Sequence, residues 1–194
     1  METIRSFIAI DLPDEIRTEL GELQKSLKAG AQNYVKWVSP DSIHLTLKFL
    51  GDIAPDKIEA ITGAIRESVE NIPPFVLQIK GLGVFPNLKR IQIIWVGLTG
   101  NLESLQRIQK NIEENLAIID YPEETREFTP HLTLGRVRFQ PPPNELQKFG
   151  QLLTSTNFES TFKIGVDSIN IMKSQLTPRG PIYTSLGSVN FRRL

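Results

Sequence analysis

The tetrapeptide His-Leu-Thr-Leu occurs twice, at 44–47 and at 131–134, and its two copies hold the only histidines among 194 residues. Alternation of polar with apolar residues has the two-residue period of a strand with one buried face. His44 and Thr46 therefore share one face over Leu45 and Leu47, and His131 and Thr133 share one over Leu132 and Leu134. Within each copy the imidazole and the hydroxyl stand about 7 Å apart along the strand. A chain that builds the same half-buried strand twice is expected to be internally duplicated, with one histidine in each half.

Imidazole exchanges protons near neutral pH, with an ordinary pKa of about 6.5, so two histidines on opposite sides of one reacting group can serve as acid and base. A threonine beside each offers a hydroxyl to a tetrahedral oxyanion held between them. Other chemistries find less support. The chain has no cysteine, hence no disulfide, thiolate nucleophile or cysteine-based metal site. Two histidines so far apart in sequence, with no His-Glu-x-x-His or Asp-rich loop, do not gather a zinc or magnesium ligand set. A reaction without metal or cofactor is expected.

The remaining pattern alternates strands and helices. Residues 4–11 and 33–38 read as strands, as does 43–50 with the first motif. Helices are expected from Pro13 to Gly30, with Ile16, Leu20, Leu23 and Leu27 at helical spacing, and over 55–70 with Ile58, Ile61 and Ile65. Strands at 74–82 and 90–98 flank a loop at Val84-Phe85-Pro86-Asn87, and a helix over 100–117 carries Leu102, Leu105, Ile108, Ile112 and Leu116. An exposed loop at 119–127 precedes the second motif strand, 128–139. Pro141-Pro142-Pro143 breaks it, and a helix over 143–154 and strands over 157–175 and 181–186 complete the chain. No linker divides residues 1–194, so one bilobal unit is expected.

Lysine plus arginine equals aspartate plus glutamate, 22 each, which argues against a broad non-specific nucleic-acid surface and predicts a shallow salt dependence for any RNA binding. The opening Met-Glu-Thr-Ile-Arg lacks a signal-peptide core, and no apolar run approaches the roughly 18 residues of a membrane span. These features lead to the expectation of a soluble cytoplasmic protein, with a monomer favoured.

The motifs and their surroundings resemble the 2H phosphoesterase superfamily, and within it the RNA 2′,3′-cyclic phosphodiesterases, also called the 2′-5′ RNA ligase family. The resemblance rests on Arg5-Ser-Phe-Ile-Ala-Ile, Trp37, Ser42-Ile-His-Leu-Thr-Leu-Lys-Phe-Leu-Gly51, Gly83-Val-Phe-Pro86, Trp95, Phe128-Thr-Pro-His-Leu-Thr-Leu-Gly-Arg136, Ser174 and Gly180-Pro-Ile-Tyr183. It implies an α+β fold of two pseudo-symmetric lobes, each an antiparallel sheet with outer helices, facing across a central cleft. It also implies opening of a ribose 2′,3′-cyclic phosphate, on an RNA end or a nucleotide, to a 2′-phosphate and a free 3′-hydroxyl. His131 would then be the base that deprotonates water, and His44 the acid that protonates the leaving 3′-oxygen. Thr46 and Thr133 would bind the non-bridging oxygens. The reverse reaction, 2′-5′ joining, would use the same residues, and a non-catalytic module for RNA ends or nucleotides is the alternative.

Accessory residues keep two readings each. Lys48, on the His44 face by alternation, is a phosphate contact or a solvated lysine. Arg136 is turned away from the cleft by strict alternation and returned to it by a bulge at Gly135. Phe85 stacks on a base or plugs a loop. Arg90 reaches the substrate or simply ends a strand, Tyr183 lines the cleft or is buried, and Arg5 forms a salt bridge or faces the cleft. Trp37 and Trp95 read as core.

Overall fold

The computed structural model describes residues 3–31, 33–178 and 180–192. In chain order the strands and helices are β1 (Ile4–Ile10), α1 (Asp14–Ala31), β2 (Val35–Trp37), β3 (Leu45–Ile53), α2 (Ile58–Val69), β4 (Phe75–Asn87), β5 (Arg90–Gly100), α3 (Leu102–Ala117), β6 (His131–Val137), α4 (Pro143–Ser155), β7 (Glu159–Val166), β8 (Ser168–Thr177) and β9 (Gly180–Asn190). Among the described residues these strands join in one antiparallel sheet in the order β7-β4-β5-β6-β3-β1-β8-β9, with β2 also paired to β6.

The two halves of the sheet meet at one residue pair, Leu45 with Leu132, the second residues of the two motifs. To one side lie β3, β1, β8 and β9, and to the other β6, β5, β4 and β7. This is the α+β, two-lobed arrangement that the family resemblance implied. Each lobe is backed by two helices, of which one arrives from the other lobe. Helix α1 leaves β1 and packs against α4 and β7, whereas α3 leaves β5 and packs against α2 and β3. The exchange cross-braces the lobes through their cores. Ile16, Leu20 and Leu27 of α1, and Leu105, Ile108, Ile112 and Leu116 of α3, are completely buried. Their spacing of three and four is that of a helix with one apolar face.

Three sequence expectations need correction. Val84-Phe85-Pro86-Asn87 is not a loop but the end of β4, containing the cis Phe85–Pro86 peptide. The turn comes after it, because Asn87 Oδ1 accepts the amides of Lys89 and Arg90 at 3.0 and 3.1 Å. The span 157–175 is two strands parted at Asp167, since β7 pairs with β4 in one lobe and β8 with β1 in the other. The final strand runs further than expected, to Asn190, paired throughout with β8.

Candidate active site

The single β3–β6 pair governs the geometry. Carried one residue either way, its antiparallel register sets His44 across from Thr133 and His131 across from Thr46. With Leu45 and Leu132 completely buried, all four polar side chains rise from the opposite face of the sheet. Cross-strand neighbours stand about 5 Å apart, the scale of one phosphate group with its oxygens.

Both imidazoles are oriented in the same way. His44 Nδ1 donates to the Ser42 carbonyl at 2.9 Å, and His131 Nδ1 donates to the Thr129 carbonyl at 2.7 Å. A carbonyl has no proton to give, so each neutral ring is fixed as the Nδ1–H tautomer and its Nε2 is left for chemistry. Burial lowers the pKa of His44 below the ordinary 6.5, and Arg17 acts in the same direction, against the Ser42 carbonyl and the Asp11 carboxylate. Burial likewise lowers that of His131, helped by Arg136 and opposed by the Thr129 carbonyl.

Aromatic rings hold each histidine. His44 stacks on Phe7 with centroids 4.6 Å apart and meets Tyr183 edge-on at 5.0 Å. His131 meets Phe85 edge-on at 5.0 Å and lies 6.1 Å from Trp95, which itself packs on Phe85. Phe85 and Tyr183 are thus in the cleft, each against a histidine. Trp95 is a half-buried wall of the site and not the core residue its sequence suggested. Phe7, part of the apolar strand that carries the resemblance, is given no site role by the sequence. Gly83 makes room for the indole: a Cβ there would fall 2.2 Å from the Trp95 ring. Gly83→Ala is expected to displace Trp95 and cost about 1–3 kcal/mol, measurable by urea unfolding with tryptophan fluorescence.

Both motif strands carry a bulge at the same place. Opposite β1, Leu47 is the extra residue, because Thr46 pairs with Ala9 and Lys48 with Ile8. Opposite β5, Leu134 is the extra residue, because Thr133 pairs with Trp95 and Gly135 with Ile94. Each bulge reverses the alternation beyond it. Lys48 is therefore turned away from the cleft: its side chain is 3 % exposed, paired with Glu113 of α3, and donates to the Pro122 carbonyl at 2.8 Å. Neither sequence reading of Lys48 survives, since it faces neither phosphate nor solvent.

The same reversal brings Arg136 onto the face of His131 and Thr133. It is close enough to lower the pKa of His131 and to oppose the burial that raises that of Tyr183. Gly135 is needed at this bulge, where a Cβ would meet Val35 Cγ1 at 2.6 Å. Buried Gln24 of α1 secures the junction, its Nε2 donating to the carbonyls of Val38 and Leu134 at 2.7 and 2.8 Å.

Arg5 lies near enough to Tyr183 to act on its hydroxyl. Arg90 does not join the cluster: it sits exposed opposite Asn87 at the tip of the β4–β5 hairpin, about 16 Å along the strand from Trp95. Among the described residues no group of three or more His, Cys, Asp or Glu is placed to hold a metal ion.

Twin histidine–threonine strands, each bulged at the fourth residue of its motif and joined at a single pair, define a duplicated phosphoesterase-type scaffold with one imidazole per lobe. The model of the family described as LigT like phosphoesterase matches the chain twice, over residues 10–95 and 96–183, and the chain belongs to this family. The two matches divide between β5's Trp95 and Val96, so each contains one motif.

Among the relatives, a protein of Methanothermobacter thermautotrophicus named RNA 2′,3′-cyclic phosphodiesterase is 33 % identical over 94 % of this chain and 96 % of its own. One of Methanocaldococcus jannaschii with the same name is 34 % identical over 93 % and 96 %. Among solved structures, TT0787 of Thermus thermophilus superposes with a TM-score of 0.79 at 24 % identity, covering 98 % of this chain and 99 % of that one. Escherichia coli LigT complexed with 3′-AMP superposes at 0.75 and 23 %, covering 99 % and 100 %.

Proposed function

We propose that the protein is a metal-independent RNA 2′,3′-cyclic phosphodiesterase, opening a terminal cyclic phosphate to a 2′-phosphate and a 3′-hydroxyl. The observation that carries this reading is the face shared by His44, Thr46, His131 and Thr133, with both imidazoles locked as Nδ1–H tautomers. In-line displacement at phosphorus puts nucleophile and leaving group on opposite sides, as two histidines flanking one phosphate do. His131 Nε2 takes the proton of water as it attacks phosphorus. His44, protonated, delivers a proton to the departing 3′-oxygen, and exchange with solvent returns both rings to their starting states. Thr46 and Thr133 donate to the non-bridging oxygens as charge builds there. Arg136 neutralises the phosphate on the His131 side, while Phe85 and Tyr183 hold the rings at their working angle.

The relatives named as RNA 2′,3′-cyclic phosphodiesterases support this substrate class. The two lobes work as one unit, since the site draws one histidine from each. The same residues accelerate the reverse 2′-5′ joining, but water at about 55 M drives hydrolysis. We place the protein in the cytoplasm as a monomer; no helix among the described residues is long and apolar enough to cross a membrane.

The test is phosphorus NMR of adenosine 2′,3′-cyclic phosphate with the protein in EDTA. The 2′-phosphate should accumulate as the sole product. Survival of the cyclic phosphate, both here and at the end of an RNA oligonucleotide, would overturn the reading in favour of a binding module.

A further inference from the structure

The bulge that turns Arg136 to the cleft leaves a line of cations running outward along one lobe. Arg136 pairs across β2–β6 with Lys36, and directly opposed residues point to the same face. Arg138 follows two residues on, and its amide donates to the Tyr34 carbonyl at 2.8 Å, which seats Tyr34 beside it. Lys36, Arg136 and Arg138 are all exposed. The ion pairs among the described residues engage other cations and leave these three without a carboxylate. Lysine opposite arginine in a strand pair is a repulsive placement that an anion would relieve. Spacings of about 5 Å across the strands and 7 Å along them form a strip leading away from Thr133.

The other lobe differs. There Arg5 faces Asp52 across β1–β3, and the Asp11 carboxylate acts on His44. An anionic chain leaving the cleft meets three neighbouring unpaired cations on the Arg136 side, whereas on the other side Arg5, also outside the ion pairs, has an acidic residue opposite it.

A 2′,3′-cyclic phosphate ends an RNA strand, so only the 5′-ward chain leaves the site. We infer that Lys36 and Arg138, continuing outward from Arg136, carry the backbone of the nucleotides preceding the cyclic phosphate, with Tyr34 as a stacking surface for a base. This strip distinguishes an RNA end from a mononucleotide. It rests on the phosphodiesterase reading and adds the path of the strand.

The experiment compares wild type with Lys36→Ala/Arg138→Ala, neither residue being part of the reacting cluster. Turnover is measured on adenosine 2′,3′-cyclic phosphate and on an oligonucleotide ending in a cyclic phosphate. Affinity for an oligonucleotide ending in a 2′-phosphate is measured from 50 to 200 mM salt. The variant should process the mononucleotide as wild type does and show a raised KM for the oligonucleotide. Its salt slope should be shallower by about 1.4, two contacts at about 0.7 each for a single strand, so wild type loses about sevenfold more affinity across that range. Identical slopes and an unchanged oligonucleotide KM would overturn the strip. Lys36→Glu/Arg138→Glu serves as a second variant, and its indifference to RNA length would do the same. If wild type turns over neither substrate, the phosphodiesterase reading falls, and the salt slopes still decide whether the strip binds RNA.

Discussion

Replacing either histidine by alanine is expected to lower kcat on a cyclic phosphate by about 10²–10⁴, the contribution of a positioned acid or base. That corresponds to about 3–5 kcal/mol of transition-state stabilisation. The double variant should be little worse than either single one, since acid and base act in one displacement and half the pair has little left to do. His44 and His131 are only partly buried, so circular dichroism and melting should remain close to wild type. A single alanine variant retaining more than a tenth of the activity would remove that histidine from the mechanism.

The pH profile separates their roles. In kcat/KM, which reports the free enzyme, the base must be deprotonated and the acid protonated. Burial leads in lowering both histidines below 6.5, so the optimum should lie on the acid side of that value. The acid limb should vanish in His131→Ala and the alkaline limb in His44→Ala; the opposite loss of limbs would reverse the assignment. Stability follows with its own sign. Below about 6.5 the unfolded chain binds protons that the folded histidines still refuse. The folded state should therefore weaken as pH falls through 6.5 toward the lowered folded values, and level off above 6.5.

The second large effect is expected at Lys48. Its ammonium is buried with the Glu113 carboxylate, side chains 3 % and 9 % exposed. Glu113 also accepts the Glu124 amide at 3.1 Å and Gln109 Nε2 at 3.0 Å, while Lys48 donates to Pro122. The pair joins the first motif strand to α3 and to the segment that leads into the second motif. Lys48→Met leaves a buried carboxylate uncompensated and should cost about 3–5 kcal/mol, a large part of a stability of roughly 5–15 kcal/mol. Adding Glu113→Met removes that charge and should restore most of the loss, the remainder coming from the stranded Pro122 carbonyl and Glu124 amide. Urea unfolding of the singles and the double closes the cycle. A Lys48→Met loss under about 1 kcal/mol would mean that water reaches the pair.

What the sequence by itself determined follows from local periodicity. Two-residue alternation around each His-Leu-Thr-Leu set which side chains face the cleft. The three-to-four spacing in 16–27 and 102–116 set the helices that close the core. These patterns are legible because strand and helix faces are fixed within a few residues of chain.

The tertiary structure decided the rest. Lys48 lies four residues after His44 and Arg136 five after His131, yet a bulge at the end of each motif hides the lysine and presents the arginine. A bulge exists only against the register of a partner strand, which alternation within one strand cannot contain. The rings on the histidines come likewise from β1, β4, β5 and β9, brought together by strand order. Which cations remain unpaired depends on the same long-range pairing: it set Lys36 against Arg136 and buried Lys48 against Glu113.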